Sequence, residues 1–231
     1  KRFNELFPDI SCKTLFIIKF SNFDVLGQEY FDGFSIDHLI TNSLITQKEV
    51  FCIYNKIYHS YNENILDSSS EKMLNELKTL KNYLYKLPIF KNKEKCFLED
   101  VFNSLVEDIN KLPSHKLRYS QGDLTPSNIL VKNNFEFKII DCEFAKFTNF
   151  IEDDFVRLLI HSKFLHKNYT YILEQKLLKY KFINIYYYLN QIYISSIKCA
   201  SYKDYHLHFD ITNLFNLHQT RSKTDSILLD S

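Results

Sequence analysis

The feature that most constrains this chain is a short polar signature that begins at Gln121 and closes at Glu143. Gln121-Gly122-Asp123-Leu124-Thr125-Pro126-Ser127-Asn128 reads as a loop, because Gly and Pro punctuate it and no apolar period runs through it. Ile129-Leu130-Val131 then reads as a strand and Asn133-Asn134 as a turn, since Asn tolerates positive φ. Phe135 to Ile140 returns as the partner strand and delivers Asp141, with Cys142 and Glu143 behind it. A hairpin between Asn128 and Asp141 brings those two side chains together, with Asp123 on the loop just ahead. Taken singly, Asp123 and Asn128 are ordinary turn formers and Asp141 an ordinary strand cap; their joint order, spacing and flanking strands ask for more.

Phosphoryl transfer from ATP needs this set of groups. The nucleotide brings several negative charges that a divalent cation must offset, and Mg²⁺ prefers hard oxygen ligands. Asp141 supplies an anionic oxygen and Asn128 a neutral amide oxygen, so these two are the expected metal ligands. Asp123 is the expected catalytic residue. It would face the substrate hydroxyl, orient it and accept its proton late, because a carboxylate is too weak a base to ionise an alcohol beforehand.

The combination resembles the catalytic and metal-binding loops of protein-kinase-like enzymes. Gly122 before the Asp, Asn128-Ile129-Leu130, and Ile140-Asp141-Cys142-Glu143 are similar to the aminoglycoside phosphotransferase and choline kinase families. Protein kinases carry Arg before the first Asp and Asp-Phe-Gly at the second. Downstream, Asp153-Asp154-Phe155 stands where that group usually has an Asp opening a helix. The group usually has His where this chain has Gln121; that His braces the loop by hydrogen bonds, which a Gln amide is equipped to replace. The resemblance implies an α+β, protein-kinase-like fold: a mostly helical large lobe, a β-rich catalytic region, and a truncated small β lobe. It implies ATP and Mg²⁺ as cofactors. The implied acceptor is a small-molecule hydroxyl on choline, ethanolamine, a sugar or an aminoglycoside.

Gln28-Glu29-Tyr30-Phe31-Asp32-Gly33 resembles the family's link between lobes, Glu-Tyr-x-x-Gly, where adenine bonds to the backbone. By position the contacts fall to the Glu29 carbonyl and the Phe31 N–H; the same residues also read as an edge strand ending in a turn. On the resemblance, residues 1–31 are the remnant of the small ATP-binding lobe with its hinge strand, and residues 32–231 are the large catalytic lobe. That lobe should also bring a glycine-rich phosphate loop and a strand lysine. Glycine occurs only at 27, 33 and 122, so no such loop is present. Lys19 is too close to Glu29 to leave room for the helix expected between them, and reads as a plain strand residue. Lys1 to Pro8 would be the tail of that helix, with Glu5 as the partner of the strand lysine. Met73 is the only methionine, so the front of the lobe is expected upstream of Lys1, or else lost. Two functions therefore stay open: a small-molecule kinase, and a non-catalytic binding or regulatory module on the same fold. Residues 1–231 alone are expected to turn over little, with nothing to clamp the phosphates.

The remaining pattern reads as strands at 14–20 and 23–31, a helical run from Ser35 through Tyr58, and a helix from Ser68 to Pro88 that opens on a Ser68-x-x-Glu71 box. A further helix covers about 94–112, with Phe97, Val101, Leu105 and Ile109 on its inner face, and helical pattern resumes after about residue 151. Strands, then helices, then a β-rich insert, then helices make an α+β chain. With 29 basic and 28 acidic residues the net charge is +1, which gives no footprint for nucleic acid or an anionic membrane. No signal peptide opens the chain, and its richest apolar stretch, Phe182 to Ile197, is broken by Asn184, Asn190 and Gln191, so no membrane span is expected. The five cysteines, Cys12, Cys52, Cys96, Cys142 and Cys199, form no C-x-x-C pair; a disulfide framework or zinc site is not expected, and a reducing, cytoplasmic setting fits. Tyr186-Tyr187-Tyr188 invites comparison with an aromatic cage, but consecutive helical residues point apart and core packing is the expectation; His206 and His208 read as surface or packing residues.

Overall fold

The structure, a computed structural model, describes residues 2–169 apart from 22, 23, 89, 113, 133–135, 143, 151, 152 and 163, and then residues 185, 186, 189, 190, 192 and 193. Along the chain the elements are α1 (Arg2–Leu6), β1 (Thr14–Lys19), β2 (Asp24–Gln28), β3 (Phe34–Ser35), α2 (Ile36–Thr41), α3 (Gln47–Asn62), β4 (Leu66–Ser68), α4 (Ser70–Leu84) and α5 (Asn92–Asn110). There follow β5 (His115–Ser120), a 3-10 turn (Pro126–Asn128), β6 (Ile129–Val131), β7 (Phe137–Ile139), β8 (Lys146–Thr148) and α6 (Asp153–Ile160). The strands form three small sheets, ordered β1-β2, β3-β6-β7 and β4-β5-β8. Among the described residues no helix is long and apolar enough to cross a membrane.

The chain divides into two compact units, of which the first comprises residues 1–67 and 116–179. Its core gathers Val50, Ile53, Tyr54, Ile57 and Tyr61 from α3 with Ile36, Leu124, Ile129, Ile139, Phe150 and Phe155. α1 is held to it by Phe3 and Phe7, whose rings lie 6.2 and 5.0 Å from that of Tyr61. β1 and β2 are antiparallel, with Ile17 opposite Leu26. The single helical run expected from Ser35 to Tyr58 is two helices. α2 ends at Thr41, Ser43 takes a positive φ of 56°, and Thr46 starts α3. Its hydroxyl accepts from the Glu49 N–H while the Glu49 carboxylate accepts from the Thr46 N–H, a reciprocal cap that fixes the new start. Hydrogen bonding by Thr46 holds the Glu49 carboxyl below its ordinary range.

The second unit comprises residues 68–115 and 180–231. α4 turns Met73, Leu77, Leu80 and Leu84 inward, and α5 turns Leu98, Val101, Phe102, Leu105 and Ile109. Phe97, expected on that stripe, is half-buried, and Leu98 takes the inner place. The α4 cap is Ser69, not Ser68: the Ser69 hydroxyl accepts from the Lys72 N–H, and Ser68 closes β4 instead. The helix also stops at Leu84, before Pro88, in a series of turns whose N–H groups reach back to Lys81, Tyr83 and Leu84. Lys81 and Tyr85 both bond the Glu99 carboxylate. Tyr186 is buried with its hydroxyl on Glu76 at 3.1 Å, which is core packing; Tyr187, Tyr188, Cys199, His206 and His208 lie outside the described residues.

Candidate active site

β6 and β7 pair antiparallel with Ile129 opposite Ile139 and Val131 opposite Phe137. One step beyond the ladder, the Ile140 N–H donates to the Asn128 carbonyl at 3.0 Å, so Asn128 and the residue before Asp141 are joined directly. The turn residues Asn133, Asn134 and Phe135 lie outside the described residues, as does Glu143. Asp141 follows with φ of 55°, a left-handed conformation that re-aims its side chain as the strand ends. Asn128 is held by its amide nitrogen, which donates to the Asp123 carbonyl at 2.9 Å. Its amide oxygen is the acceptor end of the side chain, the end able to ligate a cation.

Gln121 links the two halves of this arrangement. Its side-chain Nε2 donates to the carbonyls of Asp141 at 2.6 Å and Ile140 at 3.2 Å, while its Oε1 accepts from the Asp123 N–H at 2.7 Å. The amide therefore braces the loop where the resembling families use His. A second brace comes from α6. The fully buried Asp154 carboxylate accepts from the Gln121 N–H at 2.8 Å and the Gly122 N–H at 2.9 Å. Gly122 has φ of +85°, and a Cβ there would sit 2.4 Å from the Phe144 carbonyl oxygen, so only glycine fits.

The Asp123 carboxylate is itself tied. Arg157 Nη1 donates to its Oδ1 at 3.0 Å, and Arg157 Nη2 lies 3.9 Å from the Asp153 carboxylate. Arg157 was missed in the sequence; a lone cation inside the apolar run Phe155-Val156-Arg157-Leu158-Leu159-Ile160 was the available signal. Beneath the loop a second buried guanidinium, Arg118, lies 4.7 Å over the Tyr61 ring and 5.6 Å over Phe155. Burial, with the Asp154 charge next in importance, holds the Tyr61 phenol well above its ordinary range. Burial, then Asp154 and Asp141, pushes the Cys142 thiol up to about 12.

The N-terminal segment closes on the same hairpin. The Ile139 N–H donates to the Ile10 carbonyl at 2.6 Å, Ser11 bridges Ile139 in parallel, and Lys138 Nζ reaches the carbonyls of Pro8 and Asp9. The expected hinge arrives there too. The Glu29 N–H completes the β1–β2 pairing by donating to the Lys13 carbonyl at 2.8 Å. The chain then passes through Tyr30, 89% exposed, and buried Phe31 into β3, whose Phe34 and Ser35 pair with Val131 and Leu130. One three-stranded sheet therefore carries both the end of the expected hinge segment and the hairpin of Asn128 and Asp141. α2 packs on the 3-10 turn that ends in Asn128. Among the described residues, neither the Glu29 carbonyl nor the Phe31 N–H is engaged in a hydrogen bond. Lys132 Nζ lies 4.5 Å from the Phe31 ring. Lys19 is exposed at the end of β1, paired in register with Asp24.

Among the described residues no cluster of three or more His, Cys, Asp or Glu forms a metal cage. Asn128 and Asp141 instead offer one neutral and one anionic oxygen. That donor set fits Mg²⁺, which usually takes one or two protein ligands and completes its shell with water and substrate phosphate oxygens.

No family model matches the chain, and no curated protein matches it by sequence. Solved structures do match its fold. Choline kinase LicA from Streptococcus pneumoniae superposes with a TM-score of 0.62 at 11% identity, over 95% of this chain and 79% of that one. A choline/ethanolamine kinase family protein from Mesorhizobium loti gives 0.61 at 14%, over 93% and 76%. The GDP and kanamycin complex of APH(2")-IIia gives 0.57 at 14%, over 94% and 80%. These are the groups whose motifs the sequence resembles, and the fold is theirs.

Proposed function

Starting from this protein-kinase-like fold, shared with small-molecule kinases, we propose that the chain is an ATP-dependent phosphotransferase. It transfers the γ-phosphate to a hydroxyl of a small molecule such as choline, ethanolamine, a sugar or an aminoglycoside. The observation that carries this reading is the bonded cluster of Asp123, Asn128 and Asp141. Asn128 takes its orientation from Asp123, and Gln121 bonds both Asp123 and Asp141. Positioning and electrostatics are most of what phosphoryl transfer asks of a protein, and this cluster supplies them on a braced loop.

In this reading Asn128 Oδ1 and the Asp141 carboxylate hold Mg²⁺, which when bound offsets the phosphate charge. Asp123 receives the acceptor hydroxyl and takes its proton on a carboxylate oxygen. The Glu29 carbonyl and Phe31 N–H bond the adenine edge. Residues 1–31 then belong to the small nucleotide-binding lobe and 32–231 to the large lobe. A second reading, a non-catalytic binding or regulatory module, has one observation in its favour: the residues joining β1 to β2, Phe20-Ser21-Asn22-Phe23, include no glycine for a phosphate-covering loop.

The test is a panel of alcohols assayed for ATP consumption with the full-length protein, beside Mg·ATP affinity by calorimetry for three variants. Asp123→Asn should lower kcat by about 10²–10⁴-fold and leave nucleotide affinity in place. Asp141→Ala should weaken both, because the anionic ligand is gone. Asn128→Ala should be milder in binding, since water replaces a neutral ligand. Nucleotide binding lost in Asp123→Asn but kept in Asp141→Ala would reverse the assigned roles. Mg·ATP binding with no alcohol phosphorylated would favour the non-catalytic reading.

A further inference from the structure

We propose that Arg157 is a positioning residue for Asp123, fixing the direction of the carboxylate that receives the acceptor hydroxyl; the role rests on the phosphotransfer reading above. Arg157 is 1% exposed, between the buried Val156 and Leu158 on α6. A guanidinium taken out of water is costly unless anionic partners hold it. Here the nearest is Asp123 Oδ1, bonded at 3.0 Å, with the Asp153 carboxylate at 3.9 Å.

What makes this more than charge balance is where α6 grips. Asp154 and Arg157 are three residues apart and so share a helix face. Asp154 takes the backbone N–H groups of Gln121 and Gly122, and Arg157 takes the side chain of the next residue, Asp123. Three consecutive loop residues are thus clasped by one face of one helix, the first two through backbone and the third through its carboxylate. The Asp123 backbone is fixed separately, its N–H on Gln121 Oε1 and its carbonyl on Asn128 Nδ2. Backbone bonds leave the side-chain torsions of an Asp undetermined; the Arg157 bond constrains them. The carboxylate retains 14% of its surface and so remains reachable by a substrate while one oxygen is committed to Arg157. A misplacement of about 1 Å in a reacting group can cost on the order of 10²-fold in rate, which sets the scale of what this contact protects.

The experiment uses full-length Arg157→Met, Arg157→Lys, Asp123→Asn and the Asp123→Asn/Arg157→Met double variant. It reads kcat, KM for acceptor, Mg·ATP affinity and the Arg157 side-chain N–H signals by NMR. In Arg157→Met we expect kcat to fall about 10–10²-fold, with Mg·ATP affinity within about twofold of wild type. Arg157→Lys, which keeps the charge but not the fork, should recover part of kcat. Adding Arg157→Met to Asp123→Asn should cost nothing further. The Arg157 N–H signal should move when Asp123 becomes Asn. Unchanged kcat in a folded Met variant overturns the proposal, as does a parallel loss of Mg·ATP affinity, which marks a purely structural role. Should the Met variant not fold, Arg157→Lys decides: wild-type kcat in it overturns the proposal, since charge without the guanidinium fork then suffices. If the wild type phosphorylates no alcohol, the phosphotransfer reading has failed, and the NMR arm separately reports whether Asp123 and Arg157 are paired.

Discussion

Gly122 has almost no freedom. Its φ of +85° is strained for any L side chain, and a methyl group would meet the Phe144 carbonyl oxygen at 2.4 Å, a backbone atom that cannot swing aside. Gly122→Ala should therefore destabilise the first unit by about 1–3 kcal/mol. It should damage turnover more than stability, because Asp123 is the next residue and shares the displaced peptide. Thermal unfolding beside kcat checks this. A variant with full activity and an unchanged midpoint would mean that the loop relaxes around the new methyl group. The grouping of the three candidate site residues was legible in the sequence for a different, local reason. Asp123, Asn128 and Asp141 are bound to one another by a tight loop and a hairpin, so their spacing is itself a constraint. Arg157 was not legible, because its partner lies 34 residues away and nothing local demands the pairing.

The helices show the same contrast between local and distant causes. The stripes of α4 and α5 were readable because every third or fourth residue must face a core. The break between α2 and α3 was hidden because Leu44 fits the helical period, although it is 64% exposed in the structure, while Ile45 beside it is buried. The cap that makes the break is local chemistry between Thr46 and Glu49. Thr46→Ala should cost about 1 kcal/mol, measured by denaturant unfolding. The Glu49 carboxyl is held below its ordinary range, so its share of the cap is present above the unfolded value near 4.5 and is lost as pH falls through the folded value. Stability of the wild type should accordingly decline more steeply on acidification below that point than stability of Glu49→Gln; parallel acid profiles would show that the carboxylate adds nothing to the cap. β3 could not be read at all. Two residues carry no alternation, and Phe34-Ser35 is a strand only because β6, almost a hundred residues later, lies beside it.

Across the whole molecule, the two units differ in how they are built. The second includes a pair of sequence neighbours, α4 and α5, while a sheet of the first pairs β3 with β6, far along the chain. The first also carries a two-stranded ribbon, β1 and β2, with Leu15, Phe16, Ile17, Ile18, Val25 and Leu26 all exposed. A ribbon of two strands cannot bury either face by itself. We expect it to bind a hydrophobic dye, and Ile17→Thr with Leu26→Thr, directly opposite in register, to reduce that signal. Exposed substitutions of this kind change stability by only about 0.5 kcal/mol; a large drop in the unfolding midpoint would show that the face is covered in solution.

The clamp of residues 8–11 on the hairpin strand also sets an order of events. Ser11 must find Ile139, and Phe34 must find Val131, across the long stretches of chain that separate them. Closing such long loops costs entropy before any contact repays it, and chains rich in distant pairings fold slowly for that reason. As the chain leaves the ribosome, β3 and the segment after α1 emerge long before β6 and β7, their partners, exist. The helices of the second unit can form meanwhile from local contacts. The loop that carries Asp123 acquires its second brace only after α6 has emerged. A chain arrested before residue 154 would therefore have α4 and α5 but would lack the carboxylate that holds the Gln121 and Gly122 N–H groups.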